Sequence, residues 1–316
     1  EPMLTDQWFV ETSKIVEPAL EAVRSGATKI MPESDKKVYF HWLENIEPWC
    51  ISRQLWWGHQ VPVWYGPSVV DLDRKPLTSK TKERSDWAYD FEKPVSFCAA
   101  NFDEATKLAD AYYSAFDAKE GATYEYSEEV DAKAAWQPDG HKMPLWRDPD
   151  VLDTWFSSAL WPHSTLGWPE KTDELEYFYP TSTLITSRDI ITLWVARMVL
   201  MGLNNIGEIP FNEVFIHPKI LDGLGETMSK SKGNGVDPID VIDKFGPDAL
   251  RFGLARLATD TQDVRMPVQY ECPHCEKLID QTKKNRSLPK LECPSCKGAF
   301  STQWAESDED KALPKA

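Results

Sequence analysis

The sequence predicts an α/β fold built on a parallel sheet, and three observations carry the prediction. Short β-prone runs at 182–186 and 213–217 are separated by a long apolar helical stretch, 189–203. A loop rich in Gly, Lys and Ser, 222–235, follows the second run. Two helices come next: Asp237 is placed to cap the first, with Pro238 at its first position, and Gly246-Pro247 opens the second, with Leu250, Leu254 and Leu257 on one face.

Ahead of this core, residues 11–24 have helical spacing, with Ile15, Ala19, Leu20 and Val23 on one side. The segment 1–68 is rich in Trp and is expected to join the core. From 69 to 147 the texture changes to charges and small residues with no dense core pattern, so this stretch reads as an insertion. Within it, Asn101 or Asp103 could cap a helix running to about Phe116, with Leu108, Tyr112 and Phe116 on one side. The core is expected over 148–267, a cysteine-rich segment over 268–304, and a frayed polar tail over 305–316.

With 316 residues the chain has room for two or three lobes. Hydrophobic residues at 41% and charged residues at 27% fit a packed soluble protein rather than a disordered one. No apolar run approaches the ~20 residues of a membrane helix, and no signal peptide opens the chain. The net charge of −16 argues against general polyanion binding while leaving room for one specific RNA. Residue 1 is Glu and its surroundings read like the interior of a longer chain.

Four of the six cysteines form Cys272-Pro-His-Cys275 and Cys293-Pro-Ser-Cys296, with seventeen residues between the knuckles. Two CxxC turns at that separation suit one tetrahedral Zn²⁺, the linker forming a hairpin between them. Disulfides are the alternative, but nothing points to an oxidising compartment, and a cytoplasmic location is expected. His274 lies inside the first knuckle and reads as a bystander, since four thiolates already close the shell.

The 222–235 loop brings Lys230 and Lys232, the hydroxyls of Ser229 and Ser231, and flexible glycine backbone into one short stretch. Such a loop can fold over a triphosphate and offset charge on the departing pyrophosphate. It is neither a Walker A loop nor a G-x-G-x-x-G turn. By composition alone a solvated surface loop is the better reading.

Met228-Ser229-Lys230-Ser231-Lys232-Gly233-Asn234 resembles the KMSKS signature of class I aminoacyl-tRNA synthetases. Residues 48–59 resemble the WCISRQLWWGH segment, and 150–162 the DVLDTWFSSALWP segment, of the valyl-tRNA synthetase family. Residues 194–198 and 248–252 also fit, so the resemblance covers about 1–66 and 148–265. It implies the second half of a Rossmann-type catalytic core, and an activity that joins valine to ATP as valyl-adenylate, then transfers it to the 3′ end of the valine tRNA. Mg²⁺ would accompany the ATP. The HIGH motif, editing domain and anticodon-binding domain are not in this sequence, so the chain by itself is expected to be inactive. They and the N-terminal half of the core would be its partners.

The same resemblance assigns Lys230 to the departing phosphates, with Met228, Ser229, Ser231 and Lys232 shaping the ATP-binding loop. It places Asp189 at a strand-to-helix junction near the adenylate, where a plain helix N-cap is the other reading, and His217 beside the adenine. Trp155 and Trp194 match walls of the amino-acid pocket, against core packing as the ordinary role of any single Trp. Apart from the resemblance, residues 281–290 carry Lys283, Lys284, Arg286 and Lys290 with no acid, which makes them a candidate tRNA contact, with a solvated tip on a structural knob as the slightly favoured alternative. Three positions depart from the family pattern: Thr227 replaces Lys, and Ser187 and Pro218 replace Gly. They are the ground for an alternative, a degenerate non-catalytic relative that binds RNA or a partner protein.

Overall fold

The structure, a computed structural model, describes residues 5–71, 73, 75, 87–116, 123–127, 142–257 and 262–315, with only the backbone of Trp87 and Lys230. It forms two compact units, Glu1–Ser13 with Glu47–Ser158, and Lys14–Ile46 with Ala159–Ala316.

The second unit contains a parallel sheet of three strands, with Phe211–His217 between Thr181–Ser187 and Lys29–Met31. Along the middle strand Val214 and Ile216 are buried while Phe215 and His217 face out, the two-residue alternation of a half-covered strand. Helices Val16–Arg24, Lys36–Glu44 and Ala196–Asn205 build the core with it: Val23, Tyr39, Leu43, Met198 and Leu200 are all at most 1% exposed. The buried Tyr39 hydroxyl donates to the Ala19 carbonyl at 3.0 Å, so no polar group is stranded there.

The single helix expected over 189–203 is not what forms. A 3-10 turn, Arg188–Ile190, passes into a π-helical turn, Ile191–Val195, and only then into the α-helix Ala196–Asn205. Ile190, Ile191, Thr192 and Val195 are β-branched and lose side-chain freedom in an α-helix, whereas Ala196, Arg197, Met198 and Leu200 favour it. Of the face expected on 11–24, Ala19, Leu20 and Val23 are buried in helix Val16–Arg24, while Ile15 precedes that helix and is half-buried against the core. Helix Pro238–Phe245 starts as anticipated, with Asp237 accepting from the Ile239 N–H at 2.9 Å. Helix Pro247–Leu257 buries none of its residues, and Leu257 is exposed.

In the first unit, Val63–Asp71 lies between Trp87–Cys98 and Lys142–Arg147, antiparallel to both, and Thr123–Tyr126 adds to the outer edge in parallel. Helix Phe102–Ser114 closes a dense core of Trp64, Val69, Phe97, Tyr113, Met143 and Leu145. The expectation that 69–147 lacks a core is therefore corrected. Ala105 and Ala109 are small enough to let the helix lie close on the sheet, and aromatic rings fill the volume. Asn101 is the cap, accepting from the Glu104 N–H at 3.0 Å, and Asp103 lies inside the helix. The buried face is Ala105, Ala109 and Tyr113, whereas Leu108 is exposed. No helix among the described residues is long and apolar enough to cross a membrane.

The cysteine segment folds as two antiparallel hairpins, Gln269–Glu271 with Leu278–Asp280 and Lys290–Glu292 with Ala299–Ser301. Each knuckle sits at the tip of its own hairpin, rather than at the two ends of one hairpin as expected. The end of the chain is not frayed among its described residues. Helix Asp308–Lys311, capped by Ser307, returns it to the second hairpin, where the Ser301 N–H donates to the Pro314 carbonyl at 2.8 Å.

Candidate functional site

Neighbouring strands of the parallel sheet end side by side, Ser187 in register with His217. The carboxyl edge of such a sheet is where open α/β folds bind ligands. Asp189 follows within the 3-10 turn, and its carboxylate pairs with the Lys219 ammonium. Burial pushes the Asp189 carboxyl up, but the Lys219 ammonium, a backbone N–H and the Ser187 hydroxyl together outweigh it and hold the group below its ordinary 3.8. Asp189 is not a helix N-cap: Ser187 occupies that position and makes no side-chain cap bond. The His217 ring is exposed, with Nδ1 2.9 Å from the Pro218 carbonyl. Because a carbonyl only accepts, Nδ1 is the donor in this contact. Sequence reasoning missed Lys219, whose partner is thirty residues away with no local pattern linking the two.

The loop that follows is anchored from within. Asp222 and Asn234, at 3% and 0% exposure, face each other, and the Asn234 amide donates to the Asp222 carboxylate at 2.7 Å. Asp222 also accepts from the Leu224 and Glu226 N–H groups at 2.9 and 2.8 Å. The Asn234 side-chain oxygen accepts from the Ser229 N–H at 2.9 Å. Between these posts Met228 and Ser229 are half-buried, Ser231 and Lys232 exposed, and the Ser229 and Ser231 hydroxyls lie 3.3 Å apart. Lys230 opens the 3-10 turn Lys230–Lys232; its side chain lies outside the described residues. A cavity of about 430 Å³ opens beside the loop, lined by Met228, Ser229, Gly233, Val236, Pro238 and Gln303 among others. Thr227 forms a bridge with Leu221, at the root of the loop.

The loop also meets the cysteine hairpins. Arg286 donates to Glu226 at 2.9 Å and lies 3.7 Å from Asp222, while Lys283 and Lys232 each reach Glu226 at 3.5 Å. These cations hold the Glu226 carboxyl below its ordinary 4.5, Arg286 most strongly. Gln281 and Gln303 both donate to the Gly233 carbonyl, at 2.9 and 2.7 Å.

Cys272, Cys275, Cys293 and Cys296 come together with all four sulfurs within 4.8 Å of one another. Cys272–Cys296 and Cys275–Cys293 are separated by 3.7 and 3.6 Å. A tetrahedral ion with metal–sulfur bonds of ~2.3 Å would set its sulfurs ~3.8 Å apart, which these two pairs already match, so the donor set fits a metal. The four thiols share their protons: the Cys293 thiol is pushed down, chiefly by the Cys296 backbone N–H, and the Cys275 thiol up by its neighbouring cysteines. The shift at Cys293 favours the thiolate, the metal-binding form. His274 points instead to the Ala299 carbonyl, 3.0 Å away.

Residues 1–267 match the family of tRNA synthetases class I (I, L, M and V). The chain belongs to the class I tRNA synthetases. A valine–tRNA ligase of Rhodopirellula baltica is 58% identical over 316 residues, spanning 100% of this chain and 29% of its own length. One from Ruegeria pomeroyi is 51% identical over 267 residues, 82% of this chain and 24% of the relative. One from Cereibacter sphaeroides is 46% identical over 286 residues, 84% and 29% respectively. The chain thus spans less than a third of the length of these relatives.

In this synthetase chain buried carboxylates fasten 148–153 to Trp8, Tyr65 and the segment 48–59. Asp148 accepts from the Trp8 indole and the Tyr65 hydroxyl at 2.8 and 2.7 Å, and Asp150 from the Gln54 amide at 2.9 Å. Asp153 accepts from the Trp49 indole and pairs with Arg53, both at 3.0 Å. Trp155 follows, half-buried, near the start of helix Thr154–Ser164. Trp194 belongs to the other unit, where it is half-buried in the π-helical turn and packs against the core. π-turns inside helices recur at functional sites.

Proposed function

We propose that this chain is part of a valine–tRNA ligase, contributing to ATP-dependent activation of valine as valyl-adenylate and to its transfer to the 3′ end of the valine tRNA. The carrying observation is the anchored 222–235 loop, which follows the carboxyl edge of a parallel sheet in a class I synthetase whose relatives are named valine–tRNA ligases. In this reading Lys230 is the catalytic residue and stabilises negative charge on the departing pyrophosphate. Met228, Ser229, Ser231 and Lys232 shape the loop around ATP, Asp189 approaches the adenylate, and His217 offers its ring beside the adenine. Trp155 and Trp194 are each assigned by the resemblance to the recognition of the valine side chain. Mg²⁺ would travel with the nucleotide, and tRNA and the remaining parts of the enzyme are the macromolecular partners.

The core, in this reading, is Rossmann-type, and the cysteine hairpins are a zinc ribbon. Cys272, Cys275, Cys293 and Cys296 would hold one Zn²⁺, which supplies structural cross-linking and no step of the reaction. Water and the soluble cytoplasm are the expected surroundings.

Valine-dependent pyrophosphate exchange tests the proposal, with this chain alone and mixed with a family N-terminal half that supplies the HIGH motif. Exchange in the mixture and not in either part is expected, with Lys230→Ala reducing it by two or more orders of magnitude, the scale of losing an electrostatic transition-state contact. No exchange from folded and associated parts would overturn it and leave a non-catalytic relative.

A further inference from the structure

Two hairpins and one carbonyl suggest a role for the cysteine segment beyond holding a metal. Gln281 comes directly after the first hairpin, Leu278–Asp280, and Gln303 two residues after the second, Ala299–Ser301. Both donate to the same acceptor, the Gly233 carbonyl, within the signature loop. The two hairpins pair with different partners, and each contributes two of the four sulfurs. A metal bound there would tie the hairpins into one piece, which is the condition for delivering both amides to one oxygen.

Two further contacts make the same face a tight fit. Arg286, in the linker between the hairpins, reaches Glu226 at the other end of the loop and approaches Asp222. Gly233 has φ +60°, and a Cβ on it would meet the side chains of Gln303 and Trp304. Only glycine lets the backbone take that conformation and come so close.

We infer that the cysteine hairpins are a metal-dependent brace for the 222–235 loop, with Arg286, Gln281 and Gln303 as positioning residues that set the loop's conformation. The consequence for catalysis rests on the proposed function; the brace itself does not. When the metal leaves, the hairpins are no longer tied, the two amides no longer converge, and the loop opens more often. None of the three residues needs to touch ATP.

The test is hydrogen exchange across 223–235 in the Zn²⁺-loaded chain, after stripping with a chelator, and after Zn²⁺ is restored. Stripping is expected to speed exchange at Ser229 and Lys232 at least about tenfold, the scale of losing one or two net hydrogen bonds, and Zn²⁺ to reverse it. The double variant Gln281→Ala with Gln303→Ala should show the same rise with metal bound. Arg286→Lys should keep part of the protection that Arg286→Met loses, because charge survives while the fork does not. In the complemented exchange assay these variants should raise the KM for ATP more than they lower kcat, whereas plain loss of folded protein lowers kcat alone. Unchanged loop exchange after stripping, with 269–301 released, would overturn the brace. If the complemented assay shows no activity in any variant, the proposed function fails and loop exchange still decides the brace.

Discussion

Asn234→Ala should release the signature loop without unfolding the protein around it. Three interactions of this fully buried side chain disappear, the weakest a long amide contact with the Thr227 carbonyl at 3.3 Å. The two that dominate are the amide donated to Asp222 at 2.7 Å and the Ser229 N–H accepted at 2.9 Å. Asp222 is ionised near neutrality: burial pushes its carboxyl up, but the Asn234 amide, two backbone N–H groups and Arg286 hold it below 3.8. A hydrogen bond to a charged group contributes about 1.5–3 kcal/mol and an ordinary one about 0.5–1.5, so roughly 2–4 kcal/mol of local stability is lost. Hydrogen exchange at the Ser229 amide should quicken by about 30- to 1,000-fold, while amides of the parallel sheet keep their rates. Asn234→Asp retains the shape and removes the donor, setting a second carboxylate against Asp222, and should be at least as damaging. If Asn234→Asp left Ser229 protected while Asn234→Ala did not, the retained acceptor for the Ser229 N–H rather than the amide donated to Asp222 would be holding the loop.

Two further outcomes follow from buried groups elsewhere. His163 is fully buried, its Nδ1 has no hydrogen-bond partner among the described residues, and burial pushes its ring below the ordinary 6.5. The unfolded chain therefore binds this proton first, so the stabilisation is whole above pH 6.5 and is lost as pH falls from there toward the lower folded value. Thermal melts from about pH 8 to about pH 5 should show that decline flattened in His163→Gln, and an unchanged slope would refute the assignment. In the first unit, Leu145→Ala removes a side chain of 0% exposure from the sheet–helix core and should cost about 2–5 kcal/mol in denaturant unfolding. A loss under about 0.5 kcal/mol would mean that this core is not packed as described.

What could be read from the sequence was whatever is written locally. The runs at 182–186 and 213–217, the Asp237 cap with Pro238 behind it and the two CxxC turns each carry their signal within a few residues, and each corresponds to an element that forms. The strand Lys29–Met31 is three residues long and is a strand only because Phe211–His217 lies beside it, a partner far along the chain. The π-turn at Ile191–Val195 was hidden by apolar spacing that suits any helix. In the candidate site, the end of a strand followed by Asp189, and another ended by His217, could be placed in advance. The ions that hold the site could not: Lys219 for Asp189, and Arg286 for Glu226 and Asp222, are chosen by the fold rather than by spacing.

The basic linker shows why composition alone misleads here. Four cations and no acid within 281–290, on a chain of net charge −16, read as a patch for a polyanion. In the folded unit Lys283 and Arg286 face Glu226, and Lys290 pairs with Asp310 at 3.3 Å, from the tail that folds back on the second hairpin. Glu226 and Asp310 are both held below their ordinary carboxyl values, Glu226 chiefly by Arg286 and Asp310 first by Ser307 and then by Lys290. Those carboxylates stay charged throughout the neutral range, so the pairs persist where the enzyme would work and weaken only as pH falls below about 4. Three of the linker's four cations are thus directed at the loop and the tail, while Lys284 is exposed. Isolated surface pairs contribute little, but here three cations converge on one carboxylate beside buried Asp222, and a network at one point restrains a loop where scattered pairs would not.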